Sequence, residues 1–425
     1  MNTTYTSERN VARMNDVVVI GGGAAGMMAA LYALRGGASV TLLERNEKLG
    51  KKIYITGKGR CNLTNVAEET EFMGNIVRNP RFLFAALSLL NNNGVMELFE
   101  GLGVKLKVER GGRVFPESDH ASDITRGLDR ELHRLGCRVR LNTRVASLLQ
   151  EEGRVTGVEL ETGETLKADA VIVATGGQSY PTTGSTGDGW RFAEETGHAS
   201  KPAIPALTPI ETEETWPYAL SGLSLKNVRL TAPGPKKKPL YSEQGEMLLT
   251  HFGISGPLAL SASSYLPEES AGAKLILDLK PALTDEMLDQ RLLRDFKEMS
   301  RKQIISVMDG LAPHALAMAI LEMCGIAPAH PVNGITQEMR AAIIRNVKHI
   351  ELTVKRLRPL TEAIVTRGGV SVKDVNPSTM ASKRIAGLYF AGETLDIDAL
   401  TGGCNLQLAF STGALAGSSA AQEER

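Results

Sequence analysis

The string VVVIGGGAAG at residues 17–26 sets Gly21, Gly23 and Gly26 at the spacing GxGxxG. That spacing is useful for one kind of chemistry. The first glycine permits a tight turn after a strand, the second lets a pyrophosphate approach the backbone, and the third lets the following helix pack closely. The helix start then offers unpaired N–H groups and a positive dipole end to the phosphates. Glu44 follows at the end of the next apolar run, where a carboxylate can accept hydrogen bonds from a ribose diol. The expected dinucleotide contacts are Gly21, Gly23, Ala25, Gly26, Glu44 and Arg45. The fingerprint alone does not separate FAD from NAD.

Later segments make that separation. Val145 opens a predicted meander, VIVATGG at 171–177 brings Thr175, Gly176 and Gly177, and LYFAGE at 388–393 ends in Gly392 and Glu393. These are recurring marks of the FAD domain in glutathione-reductase-like flavoproteins. There the late Gly-acid turn approaches the ribityl chain, and the last helix aims its N-terminus at the flavin pyrimidine ring. That dipole stabilises the negative charge of the reduced flavin. Here the helix entry is Thr401-Gly402-Gly403-Cys404-Asn405-Leu406.

The elements that must carry these residues are legible from periodicity. Val17–Ile20 is a buried strand, the alanine-rich stretch to Arg35 a helix stopped by Gly36-Gly37, and Ala38–Leu43 a second strand, which together make one right-handed βαβ unit. Helical patterns follow over 80–103 and 123–135, with a third parallel strand at 138–141. Segments 145–149, 155–161 and 164–168, separated by Gly153 and Gly163, predict an antiparallel meander, and 170–174 a buried strand. From about 200 to 280 prolines and short alternating segments predict a β-rich domain. Residues 284–348 carry helical periodicity broken near Pro328 and Pro331.

The strand and turn at 387–393 resume the N-terminal style. The spacing therefore predicts a discontinuous FAD domain over 1–197 and 355–425. Inserted into it are a β-rich domain over 198–283 and 349–354 and a helical cap over 284–348. The fold class expected is α/β: a glutathione-reductase-like FAD-binding Rossmann domain with an inserted β-barrel-like domain and a small helical domain.

Four longer blocks make a family resemblance specific: ITGKGRCNLTN at 55–65, ATGGQSYPTTGSTGDGW at 174–190, THFGISGP at 250–257 and GLYFAGETLDIDALTGGCNLQLAFSTGALAG at 387–417. Together they resemble the BaiN/YhiN family of flavoproteins, which includes the aminoacetone-oxidase-like enzymes, over about Asp16 to Gly417. The resemblance implies non-covalently bound FAD, a barrel-like second domain and a small helical third. It adds Gly57, Arg60, Cys61 and Asn62 to the expected cofactor contacts. Two positions depart from the family pattern: Lys58 replaces a usual glycine, and Cys404 stands where tyrosine is usual.

Two residues are catalytic candidates. Cys61 falls roughly where glutathione-reductase relatives place a redox cysteine, but it has no partner at CxxxxC spacing, which argues against a redox disulfide. Its readings are a thiol that donates a proton or a buried cysteine that packs beside the cofactor. His251 is read either as an acid or substrate hydrogen-bond donor facing the active site from the second domain, or as a structural histidine. Lys236–Lys238 reads as a solvated loop, with nucleic-acid contact as the other reading.

No second GxGxxG in βαβ context follows residue 26. NAD(P)H would then dock transiently at the flavin, or the substrate would be the reductant and oxygen would reoxidise the FAD. The reaction expected is hydride transfer through flavin N5, most directly reduction of an activated C=C or C=N bond. The family resemblance implies amine oxidation with oxygen and uridine reduction in ribosomal RNA as alternatives, and non-catalytic flavin binding is another. The chain has 48 Lys+Arg and 48 Asp+Glu, so net charge favours a small-molecule substrate over RNA or an anionic membrane. Four scattered cysteines suit a reducing cytoplasm. The polar residues 1–13 read as a tail rather than a secretory signal, and no stretch shows about eighteen uninterrupted apolar residues.

Overall fold

The computed structural model describes residues 14–236 and 238–423, so the expected tail over 1–13 and the middle of the Lys236–Lys238 loop lie outside the described residues. Two compact units divide the chain. One reaches to Ala203 and resumes at Thr366; the other is Ile204–Val365.

The first unit is built on five parallel strands. β1 (Asp16–Ile20) leads into α1 (Ala24–Arg35) and β2 (Ser39–Leu43), followed by β3 (Arg138–Arg140), β4 (Ala170–Val173) and β5 (Leu388–Phe390), in the spatial order β5-β4-β1-β2-β3. Strands covered on both faces need continuous apolar runs, and Val17–Ile20 and Ala170–Val173 are buried throughout. Because β1 lies between β2 and β4, the loop after β1 opens at the carboxyl end of the sheet, where α/β folds bind ligands.

The last described helix, α2 (Cys404–Ala420), packs along α1. Glycine makes this possible. A Cβ on Gly413 would lie 2.3 Å from the Ala25 carbonyl oxygen, and one on Gly417 2.1 Å from that of Ala29. Positions four apart face the same side of a helix, so these two glycines form a flat strip against which the α1 backbone sits.

The meander forms from Val145–Glu151, Arg154–Leu160 and Thr165–Lys167. The long helix expected over 80–103 is interrupted. Leu90 leaves helical geometry (φ −143°, ψ 86°), and the Asn91 side chain caps a new helix, Asn92–Gly101, by accepting from the Gly94 N–H. The segment Pro80–Gly101 has the length and composition of a membrane span, but Phe82, Leu83, Ala86, Leu90, Val95 and Phe99 are buried in the core of this unit. A small antiparallel sheet of Thr64–Asn65, Arg113–Pro116 and Leu106–Glu109 was not anticipated.

The second unit contains a closed six-stranded barrel. Its strands follow the order Ile210–Thr212, Gly253–Ser255, Tyr241–Thr250, Ser224–Ala232, Lys274–Asp278 and Ile350–Leu357, the last pairing back with the first. Gly256–Tyr265 is helical, unlike the β-rich expectation for that stretch. Helices Asp285–Glu298, Ile304–Met308, His314–Met323 and Gln337–Lys348 fill the region expected to be helical. Buried Lys348 ties them to the barrel through Asp278 at 2.7 Å and the Lys280 carbonyl at 2.8 Å.

Candidate functional site

The glycine loop after β1 has the shape of a phosphate cradle. Gly21 takes φ +101°, and a Cβ there would lie 2.6 Å from the Ala174 carbonyl oxygen. A Cβ on Gly26 would meet the Gly21 carbonyl at 1.7 Å, which keeps α1 tight against the loop. Gly23 differs: a Cβ there would meet nothing within 4 Å. Gly23 is the N-cap of α1 and supplies no side-chain cap, so the first-turn N–H groups face that space with the helix dipole behind them. Ala25, inside this turn, is buried against α2.

Glu44 is more heavily used than the sequence suggested. Its buried carboxylate accepts from the Gly22 N–H at 2.7 Å, the Asn46 N–H at 2.8 Å and the Asn46 side-chain amide at 2.7 Å. A carboxylate has about four acceptor sites, so roughly one remains for a ribose hydroxyl. Glu44 therefore fixes the glycine loop as well as offering an acceptor. Arg45 turns away to Thr186 (2.7 Å) and Asp188 (3.3 Å), and Asn46 reaches the Thr183 carbonyl at 3.0 Å. These contacts fold the segment after Gly177 over the Glu44 turn. Val145, the start of the meander, lies two residues beyond Thr143, whose N–H binds the Glu44 carbonyl at 2.9 Å.

The late Gly-acid turn is held from three sides. Glu393 takes the Lys52 ammonium at 2.7 Å, the Thr366 N–H at 2.7 Å and the Ser179 hydroxyl at 3.0 Å. Lys52 also donates to Ser179 at 2.6 Å. Burial works to raise the Glu393 carboxyl, but the Lys52 charge and the three donors outweigh it and hold the group below the usual carboxylate range. A depressed folded value contributes stability above the unfolded value and loses it as pH falls through the folded one.

Lys52→Met is therefore expected to destabilise the protein at neutral pH by somewhat less than the ~3–5 kcal/mol of a fully buried broken pair, because the two side chains keep 23% and 20% exposure. The deficit relative to wild type should shrink toward acid pH. Thermal melts across pH check this, and a pH-independent deficit contradicts the ion-pair account.

Gly392 places its N–H 2.9 Å from the Thr412 hydroxyl of α2. Thr175 and Gly176 follow β4; the Thr175 hydroxyl is buried without a hydrogen bond, and a Cβ on Gly177 would meet the Thr366 hydroxyl at 2.5 Å.

At the start of α2, Gly403 is the N-cap with φ +98° and no side-chain cap, and a Cβ there would lie 2.4 Å from the Thr64 carbonyl oxygen. With its amide oriented to satisfy both neighbours, Asn62 donates to the Thr64 carbonyl (3.2 Å) and accepts from the Gly403 N–H (3.0 Å). Asn405 closes the preceding turn by accepting from the Ala399 N–H and donating to its carbonyl, at 2.9 and 2.7 Å. Thr401 is exposed, Gly402 partly so, and Leu406 packs on the core.

The block at 57–62 divides. In Gly57, φ is +57° and a Cβ would lie 2.9 Å from the Asn62 N–H nitrogen. Arg60 spends its guanidinium on Glu109 (2.8 and 3.1 Å) and Asp119 (3.1 Å) and lies 4.1 Å above the Phe115 ring, so it braces the small sheet. Cys61 is fully buried at φ +62°, and burial pushes its thiol up to about 12. Such a thiol stays protonated and packs with the core. His251 belongs to the second unit, exposed in the turn between two barrel strands, with Phe252 edge-on at 4.9 Å.

Sequence reasoning missed Asn46, Lys52, Ser179, Thr366 and Asp188. Ser179 and Asp188 lie within the block at 174–190, but none of these residues belongs to a spaced fingerprint, and Lys52 and Glu393 are 341 residues apart. Among the described residues no cluster of His, Cys, Asp and Glu could hold a metal. Two glycine-rich helix starts without side-chain caps, an open space at Gly23 and a carboxylate with spare acceptor capacity fit a bound dinucleotide.

Comparison with known proteins agrees with this geometry. The profile of the HI0933-like protein Rossmann domain matches residues 15–419. The chain is 32% identical over 415 residues to 3-dehydro-bile acid delta(4,6)-reductase of Clostridium scindens, covering 96% of this chain and 100% of that one. It is also 32% identical to the ribosomal RNA dihydrouridine synthase of Haemophilus influenzae, covering 95% and 97%. Among solved structures, 3-ketosteroid delta1-dehydrogenase from Sterolibacterium denitrificans shares the fold, with TM-score 0.50 and 15% identity over 96% of this chain and 100% of that one.

Proposed function

The chain belongs to the HI0933-like family and is an FAD-dependent oxidoreductase, and from that premise we propose that it reduces a C=C bond conjugated to a carbonyl, with NAD(P)H as donor. In this reading Gly21, Gly23 and Gly26 hold the pyrophosphate of a non-covalently bound FAD. Glu44 receives a ribose hydroxyl, and the N-terminus of α2 at Gly402-Gly403-Cys404 faces the flavin. Bound FAD supplies two-electron hydride transfer. The chain contributes fixed N–H donors and the dipole of α2, which favour the added negative charge.

The observation that carries the choice of reaction is the 32% identity to a delta(4,6)-reductase over 96% of this chain and the whole of that one. The two named relatives share a chemistry: a 3-oxo-Δ4,6 system and a uracil ring each present a C=C bond conjugated to a carbonyl. Equal numbers of acidic and basic residues favour a small acceptor over a polyanion, since RNA binding rests on neutralising phosphates.

The test is anaerobic reduction of the holoenzyme by NADPH and by NADH, followed by mixing with a 3-oxo-Δ4 steroid, deproteinised ribosomal RNA, or oxygen with an amine. Reoxidation by the steroid enone is expected. Reoxidation by RNA alone moves the acceptor class, and fast oxygen consumption coupled to amine loss overturns the reductase reading. In the same assay Cys61→Ala should retain its FAD and turn over within a few-fold of wild type. A loss of about 100-fold or more at full FAD content would make the thiol the proton donor after all.

A further inference from the structure

Asp398 lies in the loop between β5 and α2, and it is fully buried. Its backbone carbonyl receives the Val77 and Arg78 N–H groups at 2.9 and 3.3 Å. Its carboxylate receives nothing: both oxygens are buried and make no hydrogen bond. Arg78 forms an ion pair with it: its Nε stands 3.5 Å from Oδ1 and is itself buried without a hydrogen bond.

A buried carboxylate is normally saturated with donors, because leaving an ionised group unsolvated is expensive. The other two acids of this neighbourhood obey that rule. Glu393 has Lys52, Ser179 and Thr366, and Asp396 has Lys201 at 2.5 Å and the Asn79 amide at 3.3 Å. Asp398 is the exception among the three, and an acid without donors can relieve its cost by taking a proton.

We infer that Asp398 is the proton-uptake group of this site, converting from carboxylate to carboxylic acid when reduction adds negative charge at the N-terminus of α2. The inference rests on the placement of FAD proposed above. In the step, a hydride from NAD(P)H, or two electrons from a chemical reductant together with one proton from solvent, would leave bound FAD reduced with one added negative charge. Asp398 then binds one proton from solvent, forming one O–H bond and cancelling the added charge.

The charges facing Asp398 set its threshold. Burial pushes its carboxyl up to about 6; Arg78 and Arg367 pull it down, and Asp396 and Glu393 push it up. At neutral pH the oxidised protein thus holds Asp398 as carboxylate, within reach of protonation. A further negative charge raises the group again, so uptake occurs between the oxidised and the reduced values.

The experiment uses the full-length holoenzyme, reduced anaerobically with dithionite in weak buffer containing a pH indicator. Protons bound per FAD and the midpoint potential are followed across pH 5–9. Wild type should bind more than the proton accounted for by the flavin itself above about pH 6, and its potential should carry an extra inflection there. Asp398→Asn should lose both while keeping its FAD. Arg78→Gln removes the cation that holds the acid down, so its inflection should move to higher pH.

Identical proton uptake in wild type and Asp398→Asn at equal FAD content overturns the inference. If Asp398→Asn does not fold, an unmoved inflection in Arg78→Gln overturns it equally. A wild-type protein without FAD refutes the cofactor placement instead, a result separable from either variant's behaviour.

Discussion

Replacing Glu44 by alanine is expected to strip the protein of FAD. The sequence assigns this residue one task, acceptance of a ribose hydroxyl. The structure gives it three more bonds, to the Gly22 N–H and to both donors of Asn46. Alanine thus removes a charge-assisted bond to the cofactor and leaves the buried Gly22 N–H without its acceptor in the loop that must meet the pyrophosphate. Together these cost about 2–4 kcal/mol, or roughly 30- to 700-fold in Kd. Glu44→Gln can still accept from Gly22, so it should lose less. Equilibrium titration of the apoproteins with FAD, read by flavin fluorescence, checks the order. An alanine variant that purifies with a full complement of FAD would remove Glu44 from the cofactor site.

The second large effect is expected at the strip of α2 that touches α1. In Gly413→Ala with Gly417→Ala, each new methyl carbon falls 2.1–2.3 Å from a carbonyl oxygen of α1, and the obstacle is backbone, which cannot rotate aside. The helices must separate. Overpacking costs about 1–3 kcal/mol per site, so the pair should lower stability by about 2–6 kcal/mol. FAD affinity should fall as well, because α1 and α2 each begin at a glycine turn assigned to the cofactor. Calorimetry of apo and FAD-loaded protein tests both halves. Alanine raises helix propensity by nearly 1 kcal/mol per site, so a more stable variant would mean that contact between the helices is unimportant.

What the sequence reveals here follows the range of the interactions involved. The turn at Gly21–Gly26 and the acid at the end of β2 are local, and the expected positions agree with the observed ones to within a residue or two. The meander was legible because Gly153 and Gly163 mark its turns. Gly402-Gly403 announced the start of α2 for the same reason. Interactions between distant segments left no such mark. Lys52 reads as one of several lysines in a polar stretch, and only folding brings it to Glu393. Closure of the barrel needs Ile210–Thr212 to find Ile350–Leu357, which no local pattern encodes. The helix Gly256–Tyr265 was hidden by its serines and by Pro257, a residue tolerated in a first helical turn. Arg60 shows the same limit inside a family block: its ion pairs with Glu109 and Asp119 join segments that no local pattern links.

The order of the chain imposes a schedule on synthesis. A ribosome makes β1 through β4 first, then the whole of residues 204–365, and only afterwards β5 and α2. Until those last elements emerge, β4 has an open edge and the Ala25–Ala29 face of α1 has no covering helix. The inserted unit, whose barrel strands and helices are contiguous, can reach its fold while the flanking unit waits. An uncovered helix face and an unpaired strand edge are features that make a partly folded chain prone to aggregate. Loss of β5 and α2 would therefore uncover β4 and α1 together, although both of those elements lie in the first half of the chain.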